Sequence, residues 1–208
     1  MKNLLKNHKY ILIFCLFFLA ACAGTQNKST EYSARGEMYI KTGNAAKAEK
    51  YLNKAIKANP YNIEAYKSRG ALYYSQGKLD EALKDFDYAL DYEPFNPSLL
   101  AAKGAVLASI GKYQESFNIL ADSLQLNPSN PAALNSMAGL HYIANDFKKA
   151  EQIYTISLQH QTTPEAYLMR AKCYLQMGDK AKADNDLAMA KLLKHGTGNT
   201  APEQENAK

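Results

Sequence analysis

The chain has 208 residues, is 47% hydrophobic and 22% charged, contains no tryptophan and carries a formal net charge of +5. That length is enough for one globular core or for one array of several small units. Three of the cations, Lys2, Lys6 and Lys9, fall in a segment expected to be removed, which lowers the balance to about +2; no basic stripe of the kind nucleic-acid binding needs is visible, so that partner class is set aside.

Residues 1–21 read as a secretion signal. Lys2, Lys6 and Lys9 form its positive front, and Tyr10 to Leu19 form an apolar stretch too short to cross a bilayer comfortably. Leu19-Ala20-Ala21-Cys22 follows. This run resembles the lipobox of bacterial lipoproteins. The resemblance implies cleavage before Cys22 and acylation of that cysteine, palmitate included, which anchors the chain in a membrane. Cys15 fits the pattern poorly, because Phe14 is too bulky for the residue before a cleavage point. Ala23 in place of an aspartate implies, by enterobacteria-like sorting, an outer-membrane protein facing the periplasm. Residues 22–28 are read as a lipidated, flexible tether with a reach of roughly 20 Å. Cys15 leaves with the signal, so Cys173 is the sole free thiol and no internal disulfide is expected.

The body of the chain is periodic. Gly36, Gly70 and Gly104 are spaced by one repeat of 34 residues, and Pro60, Pro94 and Pro128 keep the same step. A fixed period in this range marks one supersecondary unit stacked several times. Residues 63–96 show the unit most clearly. Asn62 is a suitable N-cap, and Tyr66, Gly70 and Tyr73 give a first helix its buried stripe. Gly77 ends that helix, because glycine accepts the left-handed conformation a helix end needs. Leu79, Ala82, Leu83, Phe86, Ala89 and Leu90 mark a second helix, and Pro94 forbids its continuation. Repeats are predicted over 29–62, 63–96, 97–130, 131–163 and 164–197, with a disordered tail over 198–208. Asn96-Pro97, Asn130-Pro131 and Thr163-Pro164 each place a capping side chain before a proline at the first helical position. The fourth unit departs most. Ala138 replaces the glycine, His141 an aromatic and Asn145 the turn glycine; the terminal proline is missing and the unit is one residue short. A polar link over 159–163 and a local change of pitch before the fifth unit are expected.

Tyr66, Gly70, Tyr73, Ala82, Phe86, Ala89 and Pro94 resemble the tetratricopeptide repeat, as do Tyr32, Gly36, Tyr39, Ala48, Leu52, Ala55 and Pro60. The resemblance implies an all-α fold, a right-handed superhelix (α-solenoid) of five helix-turn-helix repeats. Small residues are needed where helix A approaches helix B closely.

Little in the chain suggests chemistry. His141, His160 and His195 lie far apart, with no spacing that brings two onto one helix face, so no metal or other cofactor is expected. Cys173 takes a position that is apolar in the other repeats and is read as a buried small hydrophobe. Asp80, Glu81, Asp85 and Asp87 are read as scattered on a solvated helix face. Arg35, Arg69, Lys103 and Arg170 recur at one repeat position; stems laid over the helix interface are preferred to a basic ladder along a groove. No catalytic residue is assigned and no small-molecule substrate is expected.

The concave face is the candidate site. Family positions carried onto helix A give Ser33, Glu37 and Ile40, then Lys67, Ala71 and Tyr74. Ala101, Ala105 and Ala108 follow, then Asn135, Gly139 and Tyr142, then Leu168, Lys172 and Leu175. The three alanines leave room for a partner, an extended segment or an amphipathic helix, with Tyr74 and Tyr142 flanking that space. A lipobox followed by such repeats is similar to the pilus-assembly lipoproteins of type IV and tight-adherence systems. The resemblance implies a non-enzymatic scaffold in assembly of a pilus or secretin system. An adaptor that recruits peptidoglycan hydrolases or proteases is the alternative.

Overall fold

The computed structural model describes residues 26–196, with side chains to 194. The signal, Cys22 and the 198–208 tail lie outside the described residues. All secondary structure among them is helical: α1 (26–41), α2 (Ala45–Ala58), α3 (Ile63–Ser75), α4 (Leu79–Tyr92), α5 (Pro97–Ser109), α6 (Tyr113–Leu126), α7 (Pro131–Ile143), α8 (Phe147–His160), α9 (Pro164–Gln176) and α10 (Lys180–Gly196). They fall into two compact units that divide between Pro94 and Phe95. The first holds α1–α4 and the second α5–α10.

The turn chemistry follows the sequence. Gly43, Gly77, Gly111 and Gly178 sit at φ between +72° and +83°, and Asn145 takes the same place at +63°. Asparagine tolerates this region better than most side chains, because its short amide bonds locally. Side-chain caps start most of the following helices: Asn44 accepts from the Lys47 N–H, Asp146 from Lys149 and Asp179 from Lys182.

Helix A and helix B of a repeat meet at the small residues. A Cβ placed on Gly36 would lie 2.7 Å from Leu52, one on Gly70 2.9 Å from Phe86, and one on Gly104 2.6 Å from Leu120. Those distances are below any normal carbon contact, so glycine is what lets the bulky helix-B residue in. Ala48, Ala55, Ala82 and Ala89 are fully buried on the facing helices. In the third repeat Ser116 and Ser123 stand for the two alanines. They are equally buried, and their hydroxyls donate to the carbonyls of Gly104 and Pro97 at 2.7 Å.

Adjacent repeats are stitched by the capping asparagines. Asn62 Oδ1 accepts from the Ala65 N–H while Nδ2 reaches back to Ser29 and Ser33, at 2.8 and 3.0 Å. Asn130 caps α7 and donates to the Pro97 carbonyl and to Ser123. One residue thus opens a helix and holds the previous hairpin.

Two boundaries differ from the sequence reading. Residues 26–28 lie within α1 and are not a free tether; Gln26 accepts a hydrogen bond from Asn59 just after α2. Gln159 and His160 belong to the last turn of α8, so the polar link is only 161–163. The corresponding links before α3, α5 and α7 each have four residues. The residue missing from the fourth repeat is therefore missing from this link.

Candidate functional site

In the first unit, Ala71 and Tyr74 are exposed on α3. Ile40 is half-buried and leans on the core formed by Leu52, Ala65 and Leu72. Lys67 is already engaged: its Nζ lies 2.9 Å from Glu64 and 3.9 Å from Glu93, and the hydrogen bond to Glu64 raises its pKa. Glu37 accepts from the Ser68 hydroxyl at 3.2 Å. Ser33 is buried beneath Asn62 and lines no open surface.

In the second unit, Ala101 is buried within the core, with Leu120, Ala133 and Met137 in the same cluster. Its small side chain serves helix packing instead of leaving room for a partner, which corrects its assignment to the groove. Ala105 is half-buried, and Ala108 is half-buried against that core. Tyr142 also packs inward, its ring meeting Phe147 edge-on at 5.3 Å. Leu168 is half-buried, whereas Lys172 and Leu175 are exposed on α9.

A site of this unit lies where the fourth repeat departs from the pattern. α5 runs along α7 over much of its length, but α7 touches α9 only lightly. Between them is a cleft of about 190 Å³ lined by Asn135, Ser136, Tyr154, Glu165, Ala166 and Met169. Asn135 Oδ1 is buried there and has no hydrogen-bond partner among the described residues. An amide oxygen left in that state costs about 1–3 kcal/mol, which an incoming N–H donor would recover. The exposed Glu165 carboxylate at the rim adds a second acceptor. A separate hollow of about 230 Å³ lies between α6 and α7, lined by Tyr113, Gln114, Phe117, Leu140, His141 and Ala144.

The recurring cations are not a groove ladder. Arg69 donates through Nε and a terminal nitrogen to both oxygens of Asp85, at 2.8 and 2.7 Å, and lies over the rings of Tyr66 and Tyr73. Arg170 makes the same fork with Asp186 between Tyr167 and Tyr174. Asp85 and Asp186 are 4% and 5% exposed, so the placing of Asp85 on a solvated face is corrected. Sequence reasoning missed this clamp, although a signal was present. Sixteen residues after the cation stand Asp85 and Asp186 where it is a clamped arginine, but Ile119 after Lys103 and Ile153 after Met137.

Cys173 is fully buried, and burial pushes its thiol up to about 11, far from the thiolate needed for nucleophilic chemistry. Tyr154 is buried beside it, its hydroxyl held protonated mainly by burial. His141 Nδ1 lies 3.6 Å from Asp146, while His160 is exposed. Among the described residues no three metal-ligating side chains converge.

Helical hairpins that meet at glycine or alanine and stack through shared asparagines define a solenoid of paired helices. The chain belongs to the tetratricopeptide-repeat family: models of that repeat match residues 29–62, 63–96, 107–173 and 164–190. No curated protein sequence matches significantly. Among solved structures, TTC0263, a thermophilic TPR protein of Thermus thermophilus, is similar with a TM-score of 0.73 at 19% identity, over 79% of this chain and 91% of that one. The structure of Pseudomonas aeruginosa pilF is similar with a TM-score of 0.67 at 18% identity, over 86% and 80%. That of MamA gives 0.59 at 19% identity, over 84% and 97%. At these identities the likeness is one of fold.

Proposed function

We propose that this protein is a membrane-anchored, non-enzymatic scaffold of the bacterial envelope that holds a protein segment on its A helices, in assembly of a pilus or secretin system. The cleft between α7 and α9 carries the reading. It holds an unpartnered buried acceptor, Asn135 Oδ1; Lys172 and Leu175, outside its lining, are exposed further along α9. An extended segment or an amphipathic helix offers main-chain or side-chain N–H groups to the first and apolar surface to Leu175. The anchor is supported by Leu19-Ala20-Ala21-Cys22, and the envelope system by the resemblance of lipobox plus repeats to pilus-assembly lipoproteins. The shared fold of pilF is compatible with this and adds no system of its own.

The test is crosslinked capture from intact cells. Asn135→Leu should leave the far-UV circular dichroism unchanged and cut capture at least tenfold, as expected for one lost buried hydrogen bond and a blocked cleft. Undiminished capture would remove the cleft from the site. Capture of a secretin or pilus component supports the system named; capture of cell-wall hydrolases or proteases replaces it with the adaptor reading. Cys22→Ser should release the protein from membranes, and a variant that is processed and still membrane-bound would overturn the lipid anchor.

A further inference from the structure

Helix α2 carries Lys47, Lys50, Lys54 and Lys57, at steps of three, four and three residues, which place them along one face. All four are exposed, and none forms an ion pair among the described residues. Lys47 lies over the Tyr39 ring at 5.3 Å, and Lys54 over Tyr32 and Tyr51 at 5.6 and 5.2 Å. The one carboxylate of the helix, Glu49, accepts bonds from Tyr73 and Lys78, outside that row. This is the basic stripe the sequence reading did not see. It is hidden in the total because the first repeat has six Lys and Arg against three Glu, while the second has four against seven Asp and Glu. In the second repeat the acidic side chains include Asp80, Glu81 and Asp91, exposed on α4.

We propose that the lysine face of α2 docks on an anionic lipid surface, the leaflet to which the amino terminus is anchored, with headgroup phosphates as the ligands. The inference rests on the anchor proposed above. Three residues separate Cys22 from Gln26, a span of roughly 14 Å when extended. An acylated Cys22 therefore keeps α1 beside the bilayer. α2 is the antiparallel partner of α1, held by Ser29 on the Ala55 carbonyl and by Tyr32 and Tyr39 against Tyr51. The polarity from first to second repeat orients the unit as well, since an anionic surface attracts α2 and repels α4.

The full chain is reconstituted in vesicles of phosphatidylcholine, alone or with one third phosphatidylglycerol carrying a headgroup photoprobe. Crosslinks should concentrate in 45–58 and fade at high salt, and replacing the four lysines with glutamine should lower their yield roughly tenfold or more with the helical signal unchanged. Crosslinks elsewhere, or an undiminished yield from the variant, overturn the proposal. So do links between α2 and α4 of two copies formed by an added lysine–carboxylate crosslinker, which would make a second copy the occupant. Flotation separates this inference from the anchor. A chain that floats with both vesicle types and is unlabelled on α2 keeps the anchor and loses the docking face. One that floats only with anionic vesicles keeps docking and loses the anchor, and one that floats with neither loses both.

Discussion

Arg69 and Asp85 show how one position is solved in different ways along the same chain. Hydrogen bonding to Asp85 keeps the Arg69 guanidinium above its ordinary pKa, against the opposing pull of burial. The fourth repeat fills the equivalent places with Met137 and Ile153, both buried in the apolar core. Removing one member of a largely buried pair leaves the other uncompensated, whereas an apolar pair of similar volume is close to neutral. Asp85→Asn should therefore cost about 3 kcal/mol in urea unfolding, and Arg69→Met combined with Asp85→Ile should lie within about 1 kcal/mol of the parent. Equal losses from both variants would show that the fork contributes more than its apolar substitute. The clamp was hard to see in the sequence because aspartate on an amphipathic helix looks solvated, and only comparison between repeats exposes the coupling.

At the scale of helices the sequence was most legible. Each stop, at Gly43, Gly77, Gly111, Asn145 and Gly178, rests on a conformation few other residues adopt. Asn62 caps α3 as its residue type suggests, and the caps at Asn96, Asn130 and Thr163 fall where the dipeptides place them. Gly70→Ala should cost about 1–3 kcal/mol by overpacking against Phe86, measured by thermal unfolding. Asn130→Ala should cost about 2 kcal/mol, because a cap and a buried tie to Pro97 are lost together. A loss near the value of a cap alone would show that the tie contributes nothing. What pattern could not supply was the reach of α1 back to residue 26, where Gln26 accepts from Asn59, thirty-three residues away. The groove was only partly legible for a similar reason. Carried-over positions name a face, but whether Ala101 is wall or filling depends on the depth of its neighbours.

For the whole molecule, two weak acids of the second unit, the buried Cys173 and the half-buried Tyr174, are expected to set an alkaline limit. Cys173 and Tyr174 are pushed up to about 11 and 12 by burial, Tyr174 also by its bond to Glu151. Folding thus favours their protonated forms. That stabilisation is complete below the ordinary values of 9.0 and 10.0 and is lost as pH rises through 11 and 12. Thermal midpoints should hold to about pH 9 and then fall, with Cys173→Ala flattening the first part of the decline. An unchanged slope in that variant would assign the loss to the tyrosines. Net charge, by contrast, was the least informative whole-chain quantity, since it averaged away the opposite signs of the first two repeats.

The asparagines that open α3 and α7 mean that these hairpins are not interchangeable beads. A chain trimmed at residue 62 would leave the Asn62 amide without its two serine acceptors, and one ending at residue 129 would strip Ser123 and the Pro97 carbonyl of the donor that seals them. Anyone shortening or grafting this array should cut inside a hairpin turn and rebuild the cap, treating each such asparagine as common property of the two repeats it joins.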